Sequence, residues 1–350
     1  MQPARSLLAA LTLVQGLSLA ALAADPPTAL EKIAYYQRQI AEHPKHYPAY
    51  ARLGQAWLDR ARQTYDPAAL AEARKALRQS LAIQPTYEAL HTLAATANYS
   101  HQFEESLRWC AQAAEAAPQD KSILAMRVEA FLALGRTDEA RAAIGTVGES
   151  AGDFYTAASL AHWHASQGDR AAAAARFSEA AQLASAQQAK GLAVWATVSA
   201  AGIWLDGGDL PQAKPLLEAA VKLDAEDSFL KIHLAELAAA ESRPGEALKI
   251  YEDLLKRQSD PELHRRAFLL ARQLNDKAAP DSQLAAAEKL CRRAIDAGEA
   301  FGLETLANLY CDAGRGDEAL RLAEQNLKHK QDAAAHETLA RARRLVGGKP

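Results

Sequence analysis

The chain has 350 residues and a formal net charge of −3, with 49% hydrophobic, 24% charged and only 6% aromatic residues. That balance excludes a strongly basic nucleic-acid binder and an acidic disordered chain. Alanine, the strongest helix former, dominates the hydrophobic share. Runs of Val, Ile and Tyr are too few for a sheet, so composition predicts an all-α protein.

Residues 1–23 read as a cleaved export signal. Arg5 precedes a nearly unbroken uncharged apolar run from Ser6 to Leu22, and Ala21-Leu22-Ala23 supplies the small-x-small pattern before Ala24. Gln15 and Gly16 interrupt a run already short for a bilayer span, and no later segment approaches the ~20 uncharged apolar residues that a span requires. The expectation is a mature protein without a transmembrane span, exported to the periplasm or secreted.

After the signal, residues 24–46 read as a lead-in helix, residues 47–330 as a repeated array, and residues 331–350 as a capping helix and tail. The array is visible in turn-plus-acid strings: GRTDEA at 135–140, GDLPQA at 208–213, SRPGEA at 242–247 and GRGDEA at 314–319. Aligning the small residue of each second helix gives Ala73, Ser106, Ala140, Ala173, Ala213, Ala247, Ala287 and Ala319. Their spacings are 33, 34, 33, 40, 34, 40 and 32, which predicts insertions around 186–196 and 275–283. A fixed period of this size marks a solenoid, whose units cannot bury their apolar faces alone.

Each unit reads as two helices. The first carries a Leu-small pair, as in Leu53-Gly54, Leu93-Ala94, Leu160-Ala161, Leu234-Ala235 and Leu306-Ala307. The second carries small-x3-large, as in Ala173 with Phe177 and Ala247 with Tyr251. These residues share one helical face, where a small side chain lets paired backbones approach closely. Gly135, Gly168, Gly208 and Gly314 are placed to end first helices.

At these residues the chain resembles the tetratricopeptide repeat (TPR) family. Its W-x2-L-G-x2-Y…A-x3-F…P pattern is met most closely by Tyr50-x2-Leu53-Gly54-x2-Trp57, Ala73-x3-Leu77 and Pro85. The resemblance covers residues 29–345 as roughly eight units of about 34 residues. It implies a right-handed superhelical solenoid of antiparallel helix pairs. Three departures stand out: Arg127 in a leucine position, no clear first-helix motif in 262–286, and a lengthened inter-helix segment at Arg60–Ala68.

Chemistry is sparse. His162-Trp163-His164 cannot readily hold one ion on a helix, because neighbours two apart diverge. Arg315-Gly316-Asp317 spells an adhesion tripeptide, but a glycine-acid turn belongs at that place in every unit. Asn98-Tyr99-Ser100 is formally a glycosylation sequon. Cys291 and Cys311 are the one cysteine pair near enough in sequence for a disulfide, although buried thiols explain Cys110, Cys291 and Cys311 as well. No phosphate loop, nucleophile elbow or HExxH string occurs, so no enzyme, cofactor or metal site is expected.

The resemblance further implies a concave groove lined by first-helix residues outside the core. By register these are His91, Asn98, Tyr99, Glu129, Tyr155, His162, Trp195, Glu236, Asn308 and Asp312, a polar lining suited to a protein or peptide partner. Neither a nucleic acid nor a small-molecule substrate is expected. The lysine-asparagine clamp with which some TPR domains hold chaperone tails is missing, since its places hold His91, Ala125, Ala158, Val198, Ile232 and Glu304. The function this suggests is a non-enzymatic scaffold holding protein partners in the cell envelope. The alternative is an accessory subunit of an envelope export or outer-membrane assembly machine.

Overall fold

The structure, a computed structural model, describes residues 28–118, 120–146, 152–276 and 279–347. The expected signal and its cleavage point lie outside the described residues. Among them are eighteen α-helices and no strand. None of these helices is long and apolar enough to cross a membrane.

A lead-in helix α1 (Ala29–Glu42) precedes eight antiparallel pairs. The first four are α2 (Tyr47–Thr64) with α3 (Pro67–Ile83), α4 (Tyr87–Tyr99) with α5 (Phe103–Ala116), α6 (Ser122–Ala133) with α7 (Thr137–Gly145), and α8 (Phe154–Ser166) with α9 (Arg170–Ala186). The last four are α10 (Lys190–Asp206) with α11 (Leu210–Asp224), α12 (Ser228–Ala240) with α13 (Pro244–Leu255), α14 (Pro261–Gln273) with α15 (Ala279–Asp296), and α16 (Leu303–Asp312) with α17 (Gly316–Asn326). Helix α18 (Ala333–Gly347) closes the array. The pairs wind into a right-handed superhelical solenoid of TPR type.

Periodicity in the sequence becomes packing in the fold. The aligned small residues Ala73, Ser106, Ala140, Ala173, Ala213, Ala247, Ala287 and Ala319 are all 0% exposed. Helix pairs close on these positions, and a larger side chain would force the backbones apart. Gly54 shows the tolerance: a Cβ there would lie 2.4 Å from Leu77 Cγ.

Every turn inside a pair has one residue with positive φ: Tyr65, His101, Gly135, Gly168, Gly208, Ser242, Asn275 and Gly314, between 53° and 78°. Glycine takes this left-handed region freely, whereas four units hold other residues there against a local cost. An acidic N-cap often follows at once. Asp66, Asp169 and Asp209 accept hydrogen bonds from Ala68, Ala172 and Gln212 amides at the starts of α3, α9 and α11.

Where the period stretches, helices lengthen. The segment expected to be long at Arg60–Ala68 is instead the last turn of an 18-residue α2, with only Tyr65 and Asp66 between it and α3. The insertion around 186–196 is absorbed by α9 and α10, of 17 residues each. Part of the one around 275–283 lies outside the described residues, and α15 reaches 18 residues. The stretch lacking a first-helix motif contains most of α14, capped by Asp260 and started by Pro261. Its motif is hidden because Arg266 stands where other units have leucine, while Ala267 still fills the small place at 0% exposure.

The superhelix turns far enough to meet itself. Turns inside the first three pairs touch loops between the last pairs along a seam. Arg74 of α3 forms a two-pronged pair with Glu299 at 2.6 and 2.8 Å and also donates to Ser100 Oγ at 2.7 Å. The Tyr65 hydroxyl donates to the Phe301 carbonyl at 3.1 Å, and the Tyr65 and Tyr99 rings lie 4.4 and 5.4 Å from that of Phe301. Arg293 pairs with Asp66 at 2.9 Å, and the Ser259 amide donates to the Gln63 carbonyl at 3.0 Å. Farther along, the Gln331 amide donates to the Ala133 carbonyl at 2.6 Å, beside Gly135, where a Cβ would come within 3.0 Å of the Gln331 carbonyl oxygen.

Candidate partner-binding channel

The inner wall of the turn is built by first helices, whose small core residues face the second helices and leave the opposite side free. On the N-terminal half, α2, α4, α6 and α8 surround a recess of about 530 Å³ lined by Gln55, Tyr87, His91, Asp120, Ser122 and Tyr155, among others. Its hydrogen bonds form one network. Tyr87 donates to Asp120 at 2.5 Å, the Ser122 amide donates to the same carboxylate at 2.8 Å, and His91 Nε2 lies 2.9 Å from Ser122 Oγ. Burial works against the Asp120 carboxylate, but hydrogen bonds from Ser122 and Tyr87 hold its pKa below the usual value. Burial lowers the His91 pKa despite Asp120 nearby, so His91 is a neutral ring at pH 7. The recess therefore offers hydroxyl, imidazole and amide groups and the Asp120 and Glu88 carboxyls beside two phenol rings.

Farther along the wall, His162 packs edge-on against Phe177 with ring centres 5.0 Å apart, and lies 5.9 Å from Trp195. Trp195 is half-buried against Phe154 and Phe177 at 5.8 and 5.7 Å. Both His162 and Glu129 remain open to solvent in the channel. Crowding by the neighbouring repeats moves the His162 pKa down and the Glu129 pKa up. Asn98 is buried: it donates to the Met126 carbonyl at 3.2 Å and to Glu129 at 3.0 Å, while its Oδ1 finds no partner. Tyr99 turns into the seam, with Arg62 5.9 Å above its ring. Of the predicted groove residues, the recess thus gathers His91 and Tyr155. Glu129, His162 and Trp195 continue the wall, and Asn98 and Tyr99 are structural.

The C-terminal half is organised differently. Arg266 joins Glu236 to Glu262, the latter at 3.1 Å. Arg265 grips Glu262 with two bonds of 2.9 Å and reaches Asp312 at 2.5 Å. Arg341 of α18 reaches back to Asn308 at 2.8 Å and Asp312 at 2.5 Å. Burial alone would lower the Arg265 pKa, but its bonds to Glu262 and Asp312 outweigh that and raise it. The predicted groove residues Glu236, Asn308 and Asp312 are thus rungs of an ion-pair ladder across α12, α14, α16 and α18, saturated from within the chain.

Sequence reasoning missed Tyr87, Asp120 and Ser122. Ser122 and Tyr155 share the place six residues before their units' small residues, Val128 and Ala161, and that spacing was the available signal. It also missed Arg265 and Arg266 of α14, since no motif located that helix.

Other candidates fall into the architecture. Cys110, Cys291 and Cys311 are buried free thiols, so the disulfide considered for Cys291 and Cys311 is not formed. The Cys291 thiol faces the Tyr65 hydroxyl, and burial pushes it well above its ordinary value. Arg315 of the adhesion-like tripeptide stacks 3.9 Å over Tyr310 and pairs with Glu318, while Gly316 is buried against Leu345.

No protein-family model matches the sequence, and none of the curated proteins compared with it does. Solved structures do match. A monomeric IFIT1 mutant with m7Gppp-AAAA shares 14% identity and a TM-score of 0.55, covering 89% of this chain and 76% of that one. A human IFIT1 dimer with m7Gppp-AAAA gives 15% identity and a TM-score of 0.50, over 85% and 76%. A tetratricopeptide repeat protein from Parabacteroides merdae gives 12% identity and a TM-score of 0.38, over 85% and 98%. What this chain shares with such proteins is the fold, a TPR-type helical solenoid.

Proposed function

We propose that the protein is a non-enzymatic scaffold that holds a polypeptide partner against the N-terminal half of its concave wall, in the cell envelope. The observation that carries this reading is the recess of about 530 Å³ with Tyr87, His91, Ser122 and Tyr155 around it. Neutral donors and acceptors beside aromatic faces suit a peptide, whose backbone needs hydrogen bonds and whose side chains need flat apolar surfaces. An RNA such as the one bound by IFIT1 would need free cations. Here Lys121 is already paired with Asp153 at 2.7 Å and Lys330 with Glu304 at 2.6 Å, and the ladder holds Arg265, Arg266 and Arg341.

Crosslinking mass spectrometry in native envelopes tests the reading directly. Crosslinks from the recess side of α4, α6 and α8 to one polypeptide, lost in a Tyr155→Ala/His91→Ala variant, are expected. Capture that is unchanged in that variant, or of RNA alone, overturns it. N-terminal sequencing of the mature protein tests export, and a start at Ala24 is expected.

A further inference from the structure

We propose that the seam is a gate: the turn is held shut by a reversible fastener centred on Arg74 and Glu299, and extending a partner beyond the open recess, past Glu129 and His162, requires the seam to part. The inference rests on the channel being the partner's place, but its mechanics do not depend on who the partner is.

Three observations point this way. First, the seam is made by loops and side chains rather than by packed helix pairs, with Ala294 and Phe301 completing one apolar cluster against Leu58, Leu70 and Ala73. Every extensively packed helix pair consists of neighbours or next-but-one neighbours in the chain, so the solenoid's own packing stays intact when the seam opens. A small change in rotation at each unit adds up over seven units, which gives the turn a soft direction along which to part. Second, an ion pair borders that apolar contact. Arg74 and Glu299 side chains are 16% and 5% exposed, so the pair sits in a largely dry contact. Attraction between such charges is offset by lost hydration. When the seam parts, each charge recovers its water, and separation costs far less than deleting one partner. Asp66 with Arg293, at 2.9 Å, is a second and more exposed pair. Third, the closed seam narrows the channel. The loop carrying Lys330 and Asp332 stands across from His162 and Glu129 and leaves a pocket of only about 260 Å³ between them, bordered by His101 and Phe103. A polypeptide segment laid along the inner wall has to displace that loop, which the Gln331–Ala133 hydrogen bond anchors to the end of α6.

The test needs no partner, so its failure is separable from failure of the binding reading. A Leu132→Cys reporter in that pocket is reacted with a small maleimide and with a bulky polyethylene-glycol maleimide, and the native buried cysteines are subtracted with a reporter-free control. In parallel, hydrogen exchange follows the Gln331 amide across the seam and the α4 amides within unit two. With the seam intact, the small reagent reacts readily and the bulky one slowly. Arg74→Glu is expected to raise the bulky-to-small rate ratio by about tenfold, the lower end of what losing hydrogen bonds to a charged group does to an equilibrium. It should also speed exchange at Gln331 while α4 stays protected. Arg74→Glu/Glu299→Arg should restore both. Equal reaction of both reagents with the intact seam overturns the gate, as does an unchanged ratio in Arg74→Glu. Loss of α4 protection in Arg74→Glu without recovery in the double variant also overturns it, because the pair would then hold unit one together rather than the seam.

Discussion

The two halves of the inner wall put different polar residues to opposite ends. Around α12 to α18, arginines and carboxylates meet one another and leave little for an outside molecule. Around α4 to α8, the polar groups are mostly neutral and bordered by rings, and they line an open recess. The difference teaches that charge density is a poor guide to a binding surface in a solenoid: the most charged stretch here is the best satisfied. Substitutions in the ladder should therefore cost stability, and substitutions in the recess should cost binding.

The largest effect is expected from Arg265→Ala. It takes one of two cations from Glu262 and from the 7%-exposed Asp312, which keep Arg266 and Arg341, a loss of about 1.5–3 kcal/mol. Urea denaturation measures it, and a loss below ~1 kcal/mol, the value of an exposed pair, would show the ladder to be ordinary surface.

Next comes acid. His101 is half-buried against the loop of Lys330, and loss of water first, then Lys330 and His329, lower its pKa to about 4, with Asp332 opposing. An unfolded histidine titrates near ~6.5, so the unfolded chain takes up the proton first. Stability present above that pH is lost as the pH falls toward 4, by up to about 1.4 kcal/mol per unit. Thermal melts of wild type and His101→Asn across this window are expected to diverge, with the variant flatter. Asparagine tolerates the left-handed backbone that His101 occupies.

Gly54→Ala should cost about 1–3 kcal/mol by overpacking against Leu77, and hydrogen exchange should place the loss in the first unit. The smallest structural effect belongs to the recess: Tyr87→Phe removes one hydrogen bond to Asp120 and should cost about 0.5–1.5 kcal/mol. Partner capture should fall more steeply than stability in that variant, and the reverse order would erase the distinction between the halves.

How much of this was legible in the sequence follows from how local each feature is. The pairing register was readable because a helix pair closes on one small residue, and all eight of those chosen are fully buried. Helix α14 escaped because Arg266 broke the Leu-small pair, and its side chain found Glu236 on the neighbouring unit, which no local pattern encodes. Register also placed residues on a face without saying what they would meet. Asn98 and Tyr99 are adjacent in the chain, yet one braces Glu129 and the other joins the seam. The seam itself had no sequence signal, since Arg74 and Glu299 meet only through rotations summed over the intervening units.

That meeting has an evolutionary consequence. An open solenoid can lengthen or shorten by duplicating or dropping a unit, because each unit answers only to its neighbours. Here Arg74 finds Glu299, and Ala133 finds Gln331, only when the right number of units lies between them. Losing one would present Arg74 with a different loop and misalign every seam contact at once. Recombination among the repeats is thereby penalised, and the closed turn acts as a counter that fixes the length of its own array.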